Sequence, residues 1–350
     1  MKYLILSLLF VYSVPLFAKC NYGETIDLRV REKSILNRLP IQNQGNYGIC
    51  YAYAGSFLVD FARNKNQLSS KRISPLHAGL IGTLHADSDS EEAGDVCEVV
   101  EGLSKAGSAC SEDQVLKESR YKEMGMYFHQ NVVQDVFMPF IMKKEAFKKV
   151  PAASFDKRVN LTTSQLNFLK RFDQFYTKLK SHLATKQFNG SYVPTAKEVF
   201  NYAQSIHIAN TYHSLSTGFT KLLVEKNCTS RINVPPLRCT KEKRTYGNNT
   251  LIETIDKVLS ETKPAAIHYC SVVLTNAKVS GLDGVGNKKS NCLPHASVII
   301  GKRSRAGSCE YLIRNSWGTN SRYAHTTDQG DIWIKEDLLR KNLYEVMTVD

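Results

Sequence analysis

The sequence predicts an α+β fold of two subdomains, a helical half over residues 19–119 and a β-barrel-like half over 251–350, with a helical insertion at 120–250 between them. Three observations carry this prediction. Tyr51, Ala54, Gly55, Leu58 and Phe61 follow the i, i+3, i+4 spacing of an amphipathic helix. After residue 264, short apolar runs at Ala265–Leu274, Ala296–Lys302, Glu310–Arg314 and Asp331–Lys335 read as strands. Between these regions the composition turns basic: residues 120–250 hold 21 Lys and Arg against 8 Asp and Glu, an excess equal to the net charge of +13 of all 350 residues.

The elements follow in chain order. Met1–Ala18 opens with Lys2, continues through the apolar run Leu4–Val11 and closes on Leu16-Phe-Ala18, the pattern of a secretory signal peptide and too short for a membrane span. Lys19 before Cys20 is wrong for lipoprotein processing. No other stretch approaches membrane-spanning length, so the expected location is secreted, periplasmic or extracellular. Nine cysteines agree with export into an oxidising compartment. Setting Cys50 aside leaves eight, enough for four disulfides, and Cys228 and Cys239, flanking Pro235-Pro236, are the expected local pair. Four Asn-x-Ser/Thr sites, at Asn160, Asn189, Asn227 and Asn248, would accept glycans only in a eukaryotic secretory pathway.

The first helix begins directly after Gln44-Gly-Asn-Tyr-Gly-Ile-Cys50. Cys50 in its first turn faces unpaired backbone N–H groups and the positive end of the helix dipole, which predicts a lowered thiol pKa and a candidate nucleophile. A second helix is expected around Cys97–Ala106 and a third over Leu251–Thr262. Far downstream, His295 opens one strand-like run in Leu293-Pro-His-Ala-Ser-Val-Ile-Ile-Gly301, and Asn315 closes another in Tyr311-Leu-Ile-Arg-Asn-Ser-Trp-Gly318. A nucleophile needs a base and a group that orients the base, and both come from distant parts of the chain in such sites.

In this order of Gln44, Cys50, His295 and Asn315, with Asn315-Ser-Trp-Gly318, the chain resembles the papain family of cysteine peptidases. The resemblance implies that Cys50 attacks a peptide carbonyl, His295 moves the proton, Asn315 orients the imidazole and Trp317 shields that contact. It also implies an oxyanion hole of the Gln44 amide and the Cys50 backbone N–H, each donor contributing about 3 kcal/mol to transition-state stabilisation. Gly94 would bind the substrate backbone, and Val96, Leu293 and Ala296 would line an apolar substrate pocket in a cleft between the halves. The short stretch from Ala18 to Gln44 implies a member with no long N-terminal propeptide. Tyr51 stands where the family usually carries Trp, Tyr47 stands where it carries a half-cystine, and Thr319–Gly330 is longer and more polar than the family pattern.

No cofactor and no metal are expected: Cys292-Leu-Pro-His295 has superficial metal spacing, without a second Cys/His pair. Within the insertion, Leu166, Phe168, Leu169, Phe172, Phe175, Tyr176 and Leu179, and then Val199, Tyr202, Ala203, Ile206 and Ile208, predict amphipathic helices. Their basic surroundings fit either a solvated face or contact with anionic surfaces; no specific nucleic-acid module is visible. The expected partners are polypeptide substrates. Two other readings share the residues: a catalytically inactive binding module of the same fold, and a cell-wall peptide amidase or transpeptidase.

Overall fold

The computed structural model describes residues 25–30, 36, 39–44, 48–64, 71–85, 94–113, 161–185, 195–198, 228–245, 250–283, 285–319 and 321–350. The fold is α+β, and the helices of the first half pack on the sheet of the second through one continuous apolar core.

Helix α1 spans Cys50–Arg63. Its residues Tyr51 to Asp60 are all buried, because α2 (Pro75–His85), α3 (Val96–Ala106) and the sheet cover it on every side. The start of α3 is fixed by a capping box: the Asp95 carboxylate accepts from Cys97 N at 2.7 Å while Glu98 reaches back to Asp95 N. Gly107 ends it in the left-handed region at φ 66°. Helix α2 was not among the expected elements; its mostly apolar sequence lacks the polar face that periodicity detects.

The β-rich half is antiparallel throughout. Strands β1 (Ile26–Asp27), β4 (Cys239–Lys243), β5 (Ala265–Cys270), β6 (Pro294–Arg305), β7 (Ser308–Arg314), β8 (Thr326–Asp328), β9 (Asp331–Lys335) and β10 (Leu343–Val349) form one sheet in the order β4-β10-β5-β6-β7-β9-β8, with β1 on β6. Helix α5 (Leu251–Ser260) lays Leu251, Ile252, Ile255, Val258 and Leu259 on this sheet. The run predicted as a strand over Ala265–Leu274 divides at Cys270. There Cys270 bonds to Cys292, Ser271 N donates to Leu293 O at 2.9 Å, and α6 (Val272–Thr275) follows.

Strands β2 (Ser108–Cys110) and β3 (Arg231–Asn233) pair with each other, and this pair revises the expected insertion. Residues 231–243, assigned by composition to the basic segment, are part of the body: β3 extends the helical half and β4 the main sheet. The expected Cys228–Cys239 disulfide is replaced by Cys110–Cys228 and Cys97–Cys239, which cross-link the body on both sides of β3. Sequence proximity favoured the local pair, and sheet pairing brought the distant partners closer. Within the central segment, α4 (Thr163–Thr185) covers the first predicted amphipathic pattern and buries Phe168, Leu169 and Phe172, whereas the pattern from Val199 to Ile208 lies outside the described residues. Among the described residues no helix is long and apolar enough to cross a membrane.

Candidate active site

Cys50 is the first residue of α1 and is not in a disulfide. Ile49, before it, offers no side-chain cap, so the first-turn donors are left for other acceptors. The backbone N–H groups of Cys50, Tyr51 and, from β6, Ala296 favour the ionised sulfur. Burial outweighs them and pushes the Cys50 thiol up. The lowered pKa expected from the helix terminus alone is therefore corrected: the same packing that supplies the N–H groups removes the water that would solvate a thiolate.

The Ala296 contact sets the start of β6 against the start of α1, and His295 is the residue before it. His295 is 5% exposed. Its partner across β5 is Tyr269, whose ring meets the imidazole edge-on with 5.6 Å between centroids. His295 Nε2 lies 2.7 Å from Asn315 Oδ1. Ser316 N–H, which can only donate, is 2.9 Å from the same oxygen and identifies it as the carbonyl end of the amide. Nε2 therefore donates and carries a hydrogen, which leaves the lone pair of a neutral imidazole on Nδ1. Burial lowers the His295 pKa to about 4, against the raising effect of the Asn315 hydrogen bond. Trp317 tilts over the imidazole with 4.8 Å between centroids and stacks on Tyr323.

Gln44 arrives from a third segment. Gln44 N donates to Ser316 O at 2.7 Å, Gly318 N donates to Gln42 O at 2.9 Å, and Asn43 bridges Trp317, so residues 42–44 run antiparallel along 316–318. Gly318 permits this approach: its φ is 75°, and a Cβ there would meet the Asn43 side chain at 3.2 Å. The Ser316 hydroxyl donates to Gln44 Oε1 and holds the side chain buried beside Asn315.

The four residues foremost in sequence thus meet at one place, where α1, β6 and the end of β7 converge. The expected pocket residues divide. Ala296 is buried and lines a small cavity behind the site together with Tyr53, Phe57, Arg314 and Asn315. Leu293 is 67% exposed at the mouth of β6. Val96 is not among the residues that line this cavity; it is 0% exposed in the α1–α3 contact. Gly94 lies against Tyr51, and a Cβ on it would meet that ring at 2.2 Å, so the ring is sufficient reason for a glycine. Cys292 is in a disulfide with Cys270 and is no metal ligand.

Sequence reasoning missed Tyr269, Ser297, Ser316 and Tyr323. The strand period of two puts Ser297 on the face of His295 and gives a legible signal for it. Tyr323 sits in the polar stretch after Gly318, and nothing local marks it.

No family model and no curated protein matches the chain. Solved structures similar to it include SERA5E from Plasmodium falciparum, at 11% identity and TM-score 0.45, over 95% of this chain and 97% of that one. A structure concerned with the mite allergens Blo t 1 and Der p 1 has the same identity and TM-score, over 95% and 73%. The bromelain protease from Ananas comosus in complex with the E64 inhibitor has 12% identity and TM-score 0.42, over 92% and 97%. At these identities any residue role rests on the site geometry alone.

Proposed function

We propose that the protein is a papain-like cysteine endopeptidase that hydrolyses peptide bonds through Cys50, His295 and Asn315. One observation carries the reading: an unpaired cysteine opens a buried helix against the strand end bearing a histidine, and the asparagine carbonyl fixes that histidine with its lone pair on Nδ1. In the resting site the thiol and imidazole are both neutral, which is the direction of their two shifts. As the substrate carbonyl is attacked, Nδ1 takes the thiol proton and sulfur bonds to carbon. The imidazolium is steadied by its Nε2–H bond to Asn315. The carbonyl oxygen, now negative, draws on the Cys50 N–H and the Gln44 amide. His295 then passes its proton to the leaving amine, and water releases the acyl group by the same steps in reverse.

Gly94, Leu293 and Ala296 flank the course of a bound peptide in this reading. Three disulfides among the described residues support an oxidising compartment, hence secretion, and a nucleophile that must be kept reduced there.

The test is covalent labelling by a thiol-directed epoxide, located by peptide mass analysis, alongside hydrolysis of denatured protein. Labelling at Cys50, with cleavage lost in Cys50→Ala, is the expected result. Cleavage retained by Cys50→Ala overturns the reading.

A further inference from the structure

We propose that Ser297 and Tyr323 are positioning residues that fix which end of the Asn315 amide faces His295, and thereby which imidazole nitrogen carries the hydrogen. The proposal rests on the catalytic reading above and adds two groups to it that make no contact with substrate.

The two ends of a carboxamide are nearly equal in size, so only hydrogen bonds decide its orientation. At Asn315 they all agree. Oδ1 accepts from His295 Nε2 at 2.7 Å, from Ser316 N at 2.9 Å and from Ser297 Oγ at 3.0 Å; Nδ2 donates to Tyr323 Oη at 3.2 Å. The Ser297 hydroxyl has a single hydrogen, and it is committed to Asn315. Its contact with Tyr269 Oη at 2.9 Å is then a bond that Tyr269 donates. Tyr269 is fully buried, and burial pushes its phenol up, so it remains a donor at every pH the protein meets. The chain of donation runs Tyr269 to Ser297 to Asn315, and from the other side Asn315 to Tyr323.

A flipped amide would turn its NH2 towards His295. Nε2 would then accept, the hydrogen would move to Nδ1, and Nδ1 could no longer take the proton of Cys50. Flipping would also set NH2 against the Ser316 N–H, which can only donate, and would leave the Ser297 hydrogen without its acceptor. Tyr323 contributes from outside the strand pair: the Ser321 hydroxyl donates to Trp317 O at 2.7 Å, so in the Tyr323–Ser321 hydrogen bond the phenol donates and its oxygen is left to accept from Asn315. Its ring is separately held by stacking on Trp317 with 6.3 Å between centroids and 11° between planes. Removing the hydroxyl alone therefore leaves the ring in place.

The experiment uses the full chain with Tyr323→Phe, Ser297→Ala and Ser297→Thr. Peptide hydrolysis is followed, together with the 15N signals of His295, assigned by their loss in His295→Gln. Expected are a kcat about 5- to 10-fold lower in Tyr323→Phe and in Ser297→Ala, the scale of one buried hydrogen bond, with KM unchanged. Ser297→Thr keeps the hydroxyl and returns kcat towards the wild-type value. In the wild type at pH 7 the hydrogen resides on Nε2, and in the two impaired variants a fraction moves to Nδ1. Unchanged kcat, or a lowered kcat with the tautomer still wholly Nε2–H, overturns the proposal. The NMR readout does not need turnover: a wild type that neither cleaves nor labels would defeat the catalytic reading, while a tautomer that shifts in the variants would still establish the positioning.

Discussion

Cys110 and Cys228 are 118 residues apart in sequence and joined by a disulfide, with 5.5 Å between their Cα atoms. The β2–β3 pair lies directly beside this bond, so the body of the protein closes across the base of the central segment. The parts of the body that flank the segment therefore meet, with Ser111 N also donating to Ser230 O at 3.1 Å.

Replacing residues 114–227 with a Gly/Ser linker of about six residues should therefore preserve the body, because a short linker spans the gap at small loop-closure cost. Circular dichroism, thermal melting and epoxide labelling of Cys50 provide the check. The shortened chain is expected to fold, and failure to recover a cooperative melt would show that the segment contributes core to the body. The excess positive charge falls mostly within the excised residues, so the product should also lose most of its affinity for heparin resin.

His295 makes stability depend on pH. Its folded pKa of about 4 lies below the 6.5 of an unfolded chain, so between these values the unfolded state binds more protons. Stability from this group is complete above pH 6.5 and is lost as the pH falls towards 4, by about 3 kcal/mol. Comparing urea unfolding of the wild type and His295→Gln at pH 7 and pH 4 isolates the effect. The wild type should lose more than the variant on acidification, and equal losses would contradict a buried neutral imidazole.

Asp331, fully buried, accepts two hydrogen bonds from Arg314 at 2.9 Å each and faces Arg29 at 3.4 Å. Arg314 also holds the backbone oxygens of Leu36 and Leu39, just before the segment that carries Gln44. Asp331→Ala should cost about 3–5 kcal/mol, since it strands a buried guanidinium. Asp328→Ala removes the more exposed partner of Arg29 and should cost under about 1 kcal/mol. Denaturant midpoints of the two variants distinguish these values.

Gly94→Ala should destabilise by about 1–3 kcal/mol through its collision with Tyr51 and lower kcat/KM, because Tyr51 adjoins the nucleophile. Tyr51→Ala removes the ring that collides. In a double-mutant cycle the pair should then be less destabilised than the sum of the single changes, and strict additivity would contradict the contact.

Much of the site was legible from sequence because its signals are local. A helix period starting at Cys50, a strand opening with His295 and another closing on Asn315 each follow from a few neighbouring residues, and the structure gives α1 at Cys50–Arg63, β6 from Pro294 and β7 ending at Arg314. The strand β10 escaped this reading: its burial pattern mixes buried and half-buried positions without clean alternation, and its neighbours β4 and β5 define it.

What the sequence determined by itself was the chemistry available and the element carrying each reactive group, since period and composition act over a few residues. Tertiary structure decided which cysteines pair, how the Thr319–Gly330 stretch returns Tyr323 to Asn315, and that burial pushes the Cys50 thiol up. Those outcomes depend on which distant segments cover a group and exclude water from it. A dipole at a helix end is a local property of the chain, whereas desolvation belongs to the packed whole.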